Sequence, residues 1–277
     1  MTAIGNPKKE ETMKISGKTV LVTGASSGMG ASIAKAMAKA GGRLLLLARR
    51  EHALRAVADE ITRAGGEARV YPVDLANATA VMDVARRITA EVGTPEIIVN
   101  NAGAGKWLFV EETSPEEAVQ MMALPYFAAF FTTRAFLPDM LKRNSGHIVN
   151  ISSVGSRFVW PGATAYLAAR WAVRGFTEAL RADLYRTGIR VTLYESGVVG
   201  SSYWEHNPGS LDRVPKMGQL IPPLTPEQVG EAIVKGVERN KRLIVTPFMM
   251  RLTYWQHAIV PWLVQWLMIV TGYRPRR

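Results

Sequence analysis

Tyr166 and Arg170 form a pair whose residue types and spacing could do chemistry. They lie four positions apart in TAYLAARWAV, whose pattern predicts the start of a helix, and positions i and i+4 share one helix face. A permanent cation beside a phenol favours the phenolate, so the pair could act as a catalytic proton donor. Taken alone, this spacing is more typical of an ordinary tyrosine beside a surface arginine. Elements elsewhere in the chain must position the pair if it is a site.

The composition limits the kinds of site that the chain can build. Its 277 residues are 48% hydrophobic and 21% charged, which predicts one large core and favours one domain over two. Without cysteine the chain has neither disulfides nor thiolate chemistry, and its four histidines are far apart in sequence, without metal-ligand spacing. The sequence therefore predicts no metal site.

Charge and the N-terminal sequence bear on partners and location. A net charge of +11 fits nucleic acid, a membrane or an anionic cofactor. No short cluster of lysines and arginines resembles a nucleic-acid stripe, so nucleic acid is not an expected partner. Residues 1–14 are a polar lead-in, which we expect to be flexible, without an apolar core of signal-peptide length. We therefore expect a cytoplasmic protein.

Short apolar runs alternate with longer helix-patterned segments. Continuous apolar runs of this length suit strands that are buried on both faces. Strands that alternate with helices predict an α/β fold with a mostly parallel sheet, and ligands bind beyond the carboxyl ends of such strands. The predicted strands are 18–23, 43–48, 68–74, 96–100, 147–152, 190–195 and 242–247, and the predicted helices are 28–40, 51–65, 78–92, 115–143, 164–187 and 226–239.

A glycine-rich stretch, TGASSGMG, joins the first predicted strand to the first predicted helix. Gly24, Gly28 and Gly30 permit a tight turn and a close approach of backbone amides to a pyrophosphate, whose charge the helix N-terminus favours. At the first strand-to-helix crossing of an α/β chain, the stretch predicts nucleotide binding. The residues between these glycines are expected at the cofactor as well: Ser26, Ser27 and Met29.

The end of the second strand bears on the choice of cofactor. An acidic residue there would hold the ribose hydroxyls of NAD, whereas an arginine accommodates the 2′-phosphate of NADP. This strand end carries Arg49 and Arg50, with no acidic residue before Glu51, and guanidinium groups suit phosphate. We therefore expect NADP(H) in preference to NAD(H). The alternative is that both arginines are merely solvated at the start of a helix.

Several short motifs follow one another along the chain. TGASSGMG is followed by Asp74, by NNAG at 100–103, by NISS at 150–153, by Tyr166 thirteen residues after Ser153, and by SGVVGS at 196–201. Together they resemble the short-chain dehydrogenase/reductase family over roughly residues 15–247. The resemblance implies one Rossmann-type domain, placed at 15–248, with a doubly wound parallel sheet of about seven strands. It also implies a homodimer or homotetramer.

The resemblance further implies hydride transfer between a nicotinamide cofactor and a carbonyl or alcohol. Ser153 would bond the substrate oxygen and Tyr166 would give or take the proton, with Arg170 beside it. These types suit a carbonyl oxygen that gains negative charge on reduction. Tyr166 and Arg170 would also contact the cofactor. The other matched positions would lie along it: Asp74, Leu75, Asn101, Ala102, Gly103, Gly197, Val199 and Ser201, with Asn100 supporting the central strand.

Three positions depart from the family pattern. Arg170 stands where the family usually has lysine, and a guanidinium does not readily release a proton. Ala123 aligns with a usual asparagine that helps to hold a relay water, and Ser196 replaces a usual proline. Three interpretations stay open: an active enzyme in which Arg170 assists Tyr166, a slow or specialised enzyme, and a cofactor-binding scaffold or sensor without turnover.

The segments expected near a substrate are bulky and apolar. They include residues 201–226, where the family has a mobile lid, and the residues that follow the NNAG and NISS motifs. Aromatic walls with few charges suit a lipid-like, steroid-like or aryl ketone better than a sugar. Packing or a subunit contact is the alternative role for two of them, Phe158 and Trp160. The predicted substrate residues are Trp107, Phe109, Phe158, Trp160, Tyr203 and Trp204.

The C-terminal extension, 249–277, is hydrophobic and basic, and we expect it to be helical. Its apolar run, 258–270, is interrupted only by Gln265; it is shorter than the ~20 residues of a spanning helix and contains Pro261. Two interpretations stay open: a peripheral anchor at an anionic membrane surface, and a contact with a subunit or over the pocket. The extension holds three of the seven tryptophans: Trp255, Trp262 and Trp266.

Overall fold

The computed structural model describes residues 13–103 and 105–274, so residues 1–12 of the predicted lead-in lie outside it. Within the described residues, seven strands form one sheet in the order β3-β2-β1-β4-β5-β6-β7, and all neighbours are parallel. The strands are β1 (Thr19–Thr23), β2 (Arg43–Ala48), β3 (Glu67–Pro72), β4 (Ile97–Asn100), β5 (Gly146–Ser153), β6 (Ile189–Ser196) and β7 (Leu243–Thr246). From β1 to β3 the chain extends the sheet in one direction, and from β4 to β7 it extends the sheet in the other, which is the doubly wound arrangement. The predicted fold class is confirmed.

Helices cover both faces of this sheet. Alternate strand residues point to opposite faces, so Val20 and Val22 pack among α1, α2 and α9, whereas Leu21 packs among α3, α5 and α6. The helices are α1 (Gly28–Lys39), α2 (Glu51–Arg63), α3 (Ala78–Val92), α4 (Pro115–Met122), α5 (Ala128–Arg143), α6 (Thr164–Asp183), α7 (Tyr203–His206), α8 (Lys216–Gln219), α9 (Pro226–Glu238), α10 (Phe248–Ile259) and α11 (Pro261–Val270).

The long helix predicted for 115–143 is interrupted. A single π-helical stretch, Ala123–Phe127, separates α4 from α5. Pro125 lies inside it and has no N–H for the hydrogen bond that an α-helix would need there. The wider π-helical turn accommodates the proline at this point. Ala123, the position where the family pattern has asparagine, is the first residue of this stretch.

The carboxyl ends of the strands meet at one edge of the sheet, and the least regular segments lie there. β1 runs directly into the turn before α1, and β5 into a 3₁₀ turn at Val154–Ser156. The segment 197–225 after β6 carries only short helices, and α10 follows β7 at once. A ligand site is expected at this edge, because these loops leave room that the helices on the faces do not.

Candidate active site

The turn after β1 is shaped by close backbone contacts. Gly24 and Gly28 have φ angles of +66° and +54°, a region that favours glycine. A Cβ at Gly30 would overlap the carbonyl oxygen of Gly24 and lie 2.6 Å from Asn101 Nδ2. Asn101 Nδ2 also donates to the carbonyl oxygen of Thr23 at 3.0 Å, which joins the ends of β1 and β4. The N-terminus of α1 is therefore held open to a ligand.

The residues around this turn fit a dinucleotide cofactor. Because the turn is built from glycines, its backbone is uncovered at the start of α1, and the N–H groups and the helix dipole there favour a pyrophosphate. Ser201 lies opposite, with its Cβ 3.6 Å from where a Cβ of Gly28 would be. Two predicted segments that are far apart in sequence, the glycine turn and the loop after β6, thus meet at one place.

The predicted 2′-phosphate residues lie beside this turn. Arg49 and Arg50 are exposed after β2, and Arg50 Nη2 lies 3.4 Å from Ser27 Oγ of the glycine turn. Asp74 is exposed and its carboxylate accepts from the backbone N–H of Ala76 at 3.1 Å, while Leu75 is buried in the core. The arginines therefore lie at the ribose end of the expected cofactor path, and Leu75 can reach that path only through its backbone.

The three predicted catalytic residues line one cleft. Ser153 ends β5, and its Oγ donates to the carbonyl oxygen of Ser196 at 3.4 Å and accepts from the N–H of Gly155 at 3.2 Å. Tyr166 lies in the first turn of α6 and is 7% exposed. The guanidinium carbon of Arg170 lies 5.0 Å from the centre of the Tyr166 ring. As the i and i+4 spacing predicts, Arg170 and Tyr166 are neighbours on α6, and the guanidinium lies over the face of the Tyr166 ring.

Arg170 also has a buried hydrogen-bond donor without a partner among the described residues. This donor is its Nε, and the residue as a whole is buried. Its Nη2 would lie 3.1 Å from a Cβ on Gly103, so glycine at that position makes room for the guanidinium. A buried, unpaired donor beside the predicted cofactor residues suits an acceptor supplied by a ligand.

The walls of the cleft are aromatic. The cavity volume is about 140 Å³. The ring of Trp107 lies 5.2 Å from that of Tyr166 and 5.1 Å from that of Trp160, whose Nε1 is buried and unpartnered within the described residues. The lining includes five predicted substrate residues, Trp107, Phe158, Trp160, Tyr203 and Trp204, and four predicted cofactor residues, Met29, Gly197, Val199 and Ser201.

Phe109 does not line this cleft. Its ring lies 6.2 Å from that of Tyr273, and the guanidinium carbon of Arg213 lies 5.4 Å from its ring centre. Arg213 in turn pairs with Glu112 at 2.5 Å, which fixes the group at the rim of the lid. Sequence proximity to Trp107 suggested a substrate role for Phe109, but its side chain packs against Arg213 and Tyr273 instead.

Tyr203 of the lid segment forms two hydrogen bonds with the loop after β4, beside Tyr166, and the sequence did not predict them. The hydroxyl of Tyr203 donates to the carbonyl oxygen of Gly105 at 2.5 Å and accepts from Trp107 Nε1 at 3.1 Å. Burial raises the pKa of the Tyr203 hydroxyl, and the neighbouring Tyr166 raises it further. Tyr203 therefore stays neutral and serves as a structural donor in the lid.

Glu195 is a second residue that sequence reasoning missed. Its carboxylate is fully buried and accepts from Ser156 Oγ, from Arg157 Nε at 3.0 Å and from the hydroxyl of Tyr254 at 3.1 Å. Burial and the adjacent Glu195 raise the pKa of Tyr254. These bonds join the turn after Ser153 to helix α10. A lone glutamate in the apolar run RVTLYE was the available signal.

The fold and the cleft together define a dinucleotide-binding oxidoreductase scaffold with a serine and a tyrosine at its centre. A sequence model described as short chain dehydrogenase matches residues 18–208. The chain belongs to the short-chain dehydrogenase/reductase family, whose members are oxidoreductases that use a nicotinamide cofactor.

Three similar proteins illustrate the range of the family. A fatty acyl-CoA reductase from Acinetobacter baylyi is 32% identical over 249 residues, which cover 89% of this chain and 81% of that protein. Mouse 17-beta-hydroxysteroid dehydrogenase 13 is 33% identical over 236 residues, covering 84% of this chain and 75% of that protein. A metagenomic short-chain oxidoreductase in complex with NADP is 29% identical, with a TM-score of 0.70, over 84% of this chain and 96% of that one.

Proposed function

We propose that the protein is an NADP(H)-dependent reductase that transfers a hydride between the nicotinamide and the carbonyl or alcohol carbon of a hydrophobic substrate. One observation carries the proposal. Ser153, Tyr166 and Arg170 line the same aromatic cleft as Gly197 and Val199, which are expected beside the nicotinamide. A reacting carbonyl would thus have its proton donor and its cofactor within one enclosed space.

The chemistry of the side chains supports this assignment. The bound cofactor supplies or accepts the hydride. Ser153 Oγ accepts from the N–H of Gly155, and its proton would turn from the long 3.4 Å bond with the carbonyl of Ser196 to a substrate oxygen that gains negative charge. Tyr166 gives the proton in reduction and takes it back in oxidation, and Arg170 holds a positive charge 5.0 Å from the centre of its ring. The aromatic walls exclude water from the reacting groups.

Two positively charged side chains support NADP over NAD. Arg49 and Arg50 follow β2, and Arg50 already reaches Ser27 in the glycine turn. A 2′-phosphate at this place would gain charge-assisted hydrogen bonds, whereas an unphosphorylated ribose would leave two arginines without an anion. The NADP complex of the metagenomic relative agrees with this choice.

The lining supports a lipid-like, steroid-like or aryl substrate. Apart from the catalytic residues, the walls are mainly aromatic and aliphatic side chains, and the free donor at Trp160 Nε1 suits a single acceptor on an otherwise apolar molecule. Two relatives named for a fatty acyl-CoA and for a hydroxysteroid agree with this class. We also propose a homodimer or homotetramer, because Phe127, Phe130 and Trp171 leave apolar surface exposed on α5, the turn before it and α6.

The test is NADPH oxidation against a panel of hydrophobic ketones and aldehydes, with NADPH binding measured in parallel. Tyr166→Phe is expected to lower kcat by about 100-fold or more, because a phenyl ring has no proton to transfer. Tyr185→Phe is the matched control. Tyr185 is 74% exposed beyond the C-terminal end of α6, so this substitution should leave turnover unchanged. Full turnover by Tyr166→Phe would remove the tyrosine from the mechanism.

A second candidate function is a cofactor-binding scaffold or sensor without turnover. The observation that favours it is the replacement of both relay partners, since Arg170 packs on the ring of Tyr166 and Ala123 has no polar side chain. Tight NADPH binding with no oxidation across the whole panel would support the scaffold. Turnover of any panel member that depends on Tyr166 would exclude it.

A further inference from the structure

The C-terminal helices α10 and α11 carry an exposed apolar stripe. Trp255, Ile259 and Trp262 are 71%, 75% and 71% exposed, although side chains of this kind are normally buried. We call this stripe the outer face; it consists of Phe248, Leu252, Trp255, Ile259, Trp262, Trp266 and Ile269. The spacing within each helix is three or four residues, so each set lies on one helical face.

The opposite side of the two helices is fixed to the rest of the protein. Met250 and Val264 are buried beside Phe158. Tyr254 donates to Glu195, and Gln265 exchanges two hydrogen bonds with the backbone of Val159, at 2.8 and 3.4 Å. The helices therefore pack on the catalytic cleft as part of the fold, and their outer face is left facing away from it.

The two helices are too short to cross a bilayer. They have 12 and 10 residues, and no helix of the described residues is long and apolar enough to span a membrane. Pro261 starts α11 and interrupts the apolar run between them. The geometry instead suits helices that lie in the plane of an interface, with one apolar side.

The charge of this segment identifies the surface that it fits. Glu238 is the last acidic residue of the chain, and Arg251, Arg274, Arg276 and Arg277 follow it. Tryptophan with arginine, and no acid, is the composition of helices at anionic lipid interfaces. A second copy docked on the same face would bring arginines towards arginines with no carboxylate of this segment to pair them.

We propose that the outer face docks the protein on the surface of an anionic bilayer. The same helices supply Met250, Thr253 and Met268 to the wall of the cleft, so docking holds the cleft one helix layer away from the membrane. A hydrophobic substrate that leaves the bilayer would then have only a short path to Tyr166. This route for the substrate rests on the proposed function; the docking does not.

Co-sedimentation of the full chain with phosphatidylcholine vesicles, with and without phosphatidylserine, tests the docking. The protein is expected to pellet with the phosphatidylserine vesicles, less so at high salt. Combining Trp255→Ser, Trp262→Ser and Trp266→Ser should lower the partition coefficient by about tenfold or more, because the buried apolar area supplies much of the binding. Tyr185→Ser is the matched control, since Tyr185 is an aromatic side chain that is 74% exposed beyond the end of α6 and lies outside the outer face.

Two outcomes would overturn the proposal. One is negligible pelleting of the unmodified protein with both vesicles; the other is equal pelleting of the triple variant and the Tyr185→Ser control. If the protein does not pellet and instead self-associates through the tryptophans, a second copy is the occupant. Thermal unfolding of each variant establishes that it is folded, and single substitutions replace the triple variant if it is not.

The docking and the proposed function fail separately. Reduction of a water-soluble ketone should be unchanged in the triple variant, because its three tryptophans do not line the cleft. Reduction of a ketone carried in phosphatidylserine vesicles should fall with the partition coefficient. Vesicle binding without any NADPH oxidation would contradict the enzyme alone, and oxidation without vesicle binding would contradict the docking alone.

Discussion

The glycine-rich turn and the aromatic cleft lie side by side at the carboxyl edge of the sheet, but different parts of the chain hold them. The turn is shaped by backbone contacts among Gly24, Gly30 and Asn101, at the ends of two adjacent strands. The cleft is shaped by side chains whose partners lie about 60 to 100 residues away in sequence. Examples are Tyr203 with the carbonyl oxygen of Gly105 and Tyr254 with the carboxylate of Glu195. The turn therefore tolerates almost no change of shape, whereas the cleft can be rebuilt one side chain at a time.

Gly30→Ala should have the largest effect, because it breaks the backbone side of this comparison. The new Cβ would overlap the carbonyl oxygen of Gly24, and backbone must move to make room. We expect a loss of stability of about 3 kcal/mol or more and a decrease in NADPH affinity of about tenfold or more. Thermal unfolding and a fluorescence titration with NADPH measure the two effects.

Gly175→Ala is the control for that substitution. Gly175 lies within α6, and a Cβ there would meet no atom within 4 Å. Alanine should therefore stabilise the helix by about 0.5–1 kcal/mol and leave NADPH affinity unchanged. Equal behaviour of the two variants would show that the tight contact at Gly30 does not shape the cofactor site.

Local pattern was enough to predict the elements and the turn, for physical reasons. Strands of a sheet covered on both faces must be apolar throughout, so β1, β4 and β5 were visible as short runs and begin and end within a residue or two of the prediction. The glycines of the turn could be recognised because positive φ favours glycine at Gly24 and Gly28 and a Cβ would overlap backbone at Gly30. Ser153 and Tyr166 were predicted from the resemblance to the family, and the structure brings them to one cleft.

Long-range packing could not be predicted in the same way. The π-helical stretch at Ala123–Phe127 contains Pro125, but Pro138 of the same predicted helix lies inside α5, so the position of the interruption could not be read from the prolines alone. The role of Glu195 depends on Tyr254, which is 59 residues away. Phe109 was assigned to the cleft by its closeness to Trp107 in sequence, but Arg213 and Tyr273 hold it outside. Periodicity contains no information on such pairs.

Glu195→Gln should have the next largest effect, because it breaks the side-chain half of the comparison. The amide would present an NH₂ group to donors that now share a buried carboxylate, and Arg157 would lose its charged partner. We expect a loss of about 3 kcal/mol in the free energy of unfolding, as for other buried ion pairs that lose one partner. Chemical denaturation measures it.

Glu178→Gln is the matched control, since Glu178 pairs with Arg181 on the surface of α6 and half of its side chain is exposed. Its loss should be below about 0.5 kcal/mol. Similar losses for the two variants would mean that the carboxylate of Glu195 contributes no more than a surface charge. Tyr254→Phe removes one of the three donors and should fall between them, at about 1 kcal/mol.

Arg170→Lys should have the smallest effect, and it bears on the boundary between the two regions. Arg170 reaches Gly103 on the cofactor side and the ring of Tyr166 on the cleft side. Lysine keeps the charge and occupies less space, and it restores a group that can release a proton. We therefore expect kcat to be kept or raised and the Kd for NADPH to change by less than about tenfold.

Arg170→Gln separates charge from shape at the same position. It removes the positive charge beside Tyr166 while it keeps a hydrogen-bond donor, so kcat should fall if the charge matters, whereas Arg170→Lys should leave kcat intact. Steady-state kinetics and NADPH titrations of the two variants decide the matter. A collapse of NADPH affinity in Arg170→Lys would instead show that the site is built around the planar guanidinium. The unpartnered Nε would then mark a cofactor contact that an ammonium cannot replace.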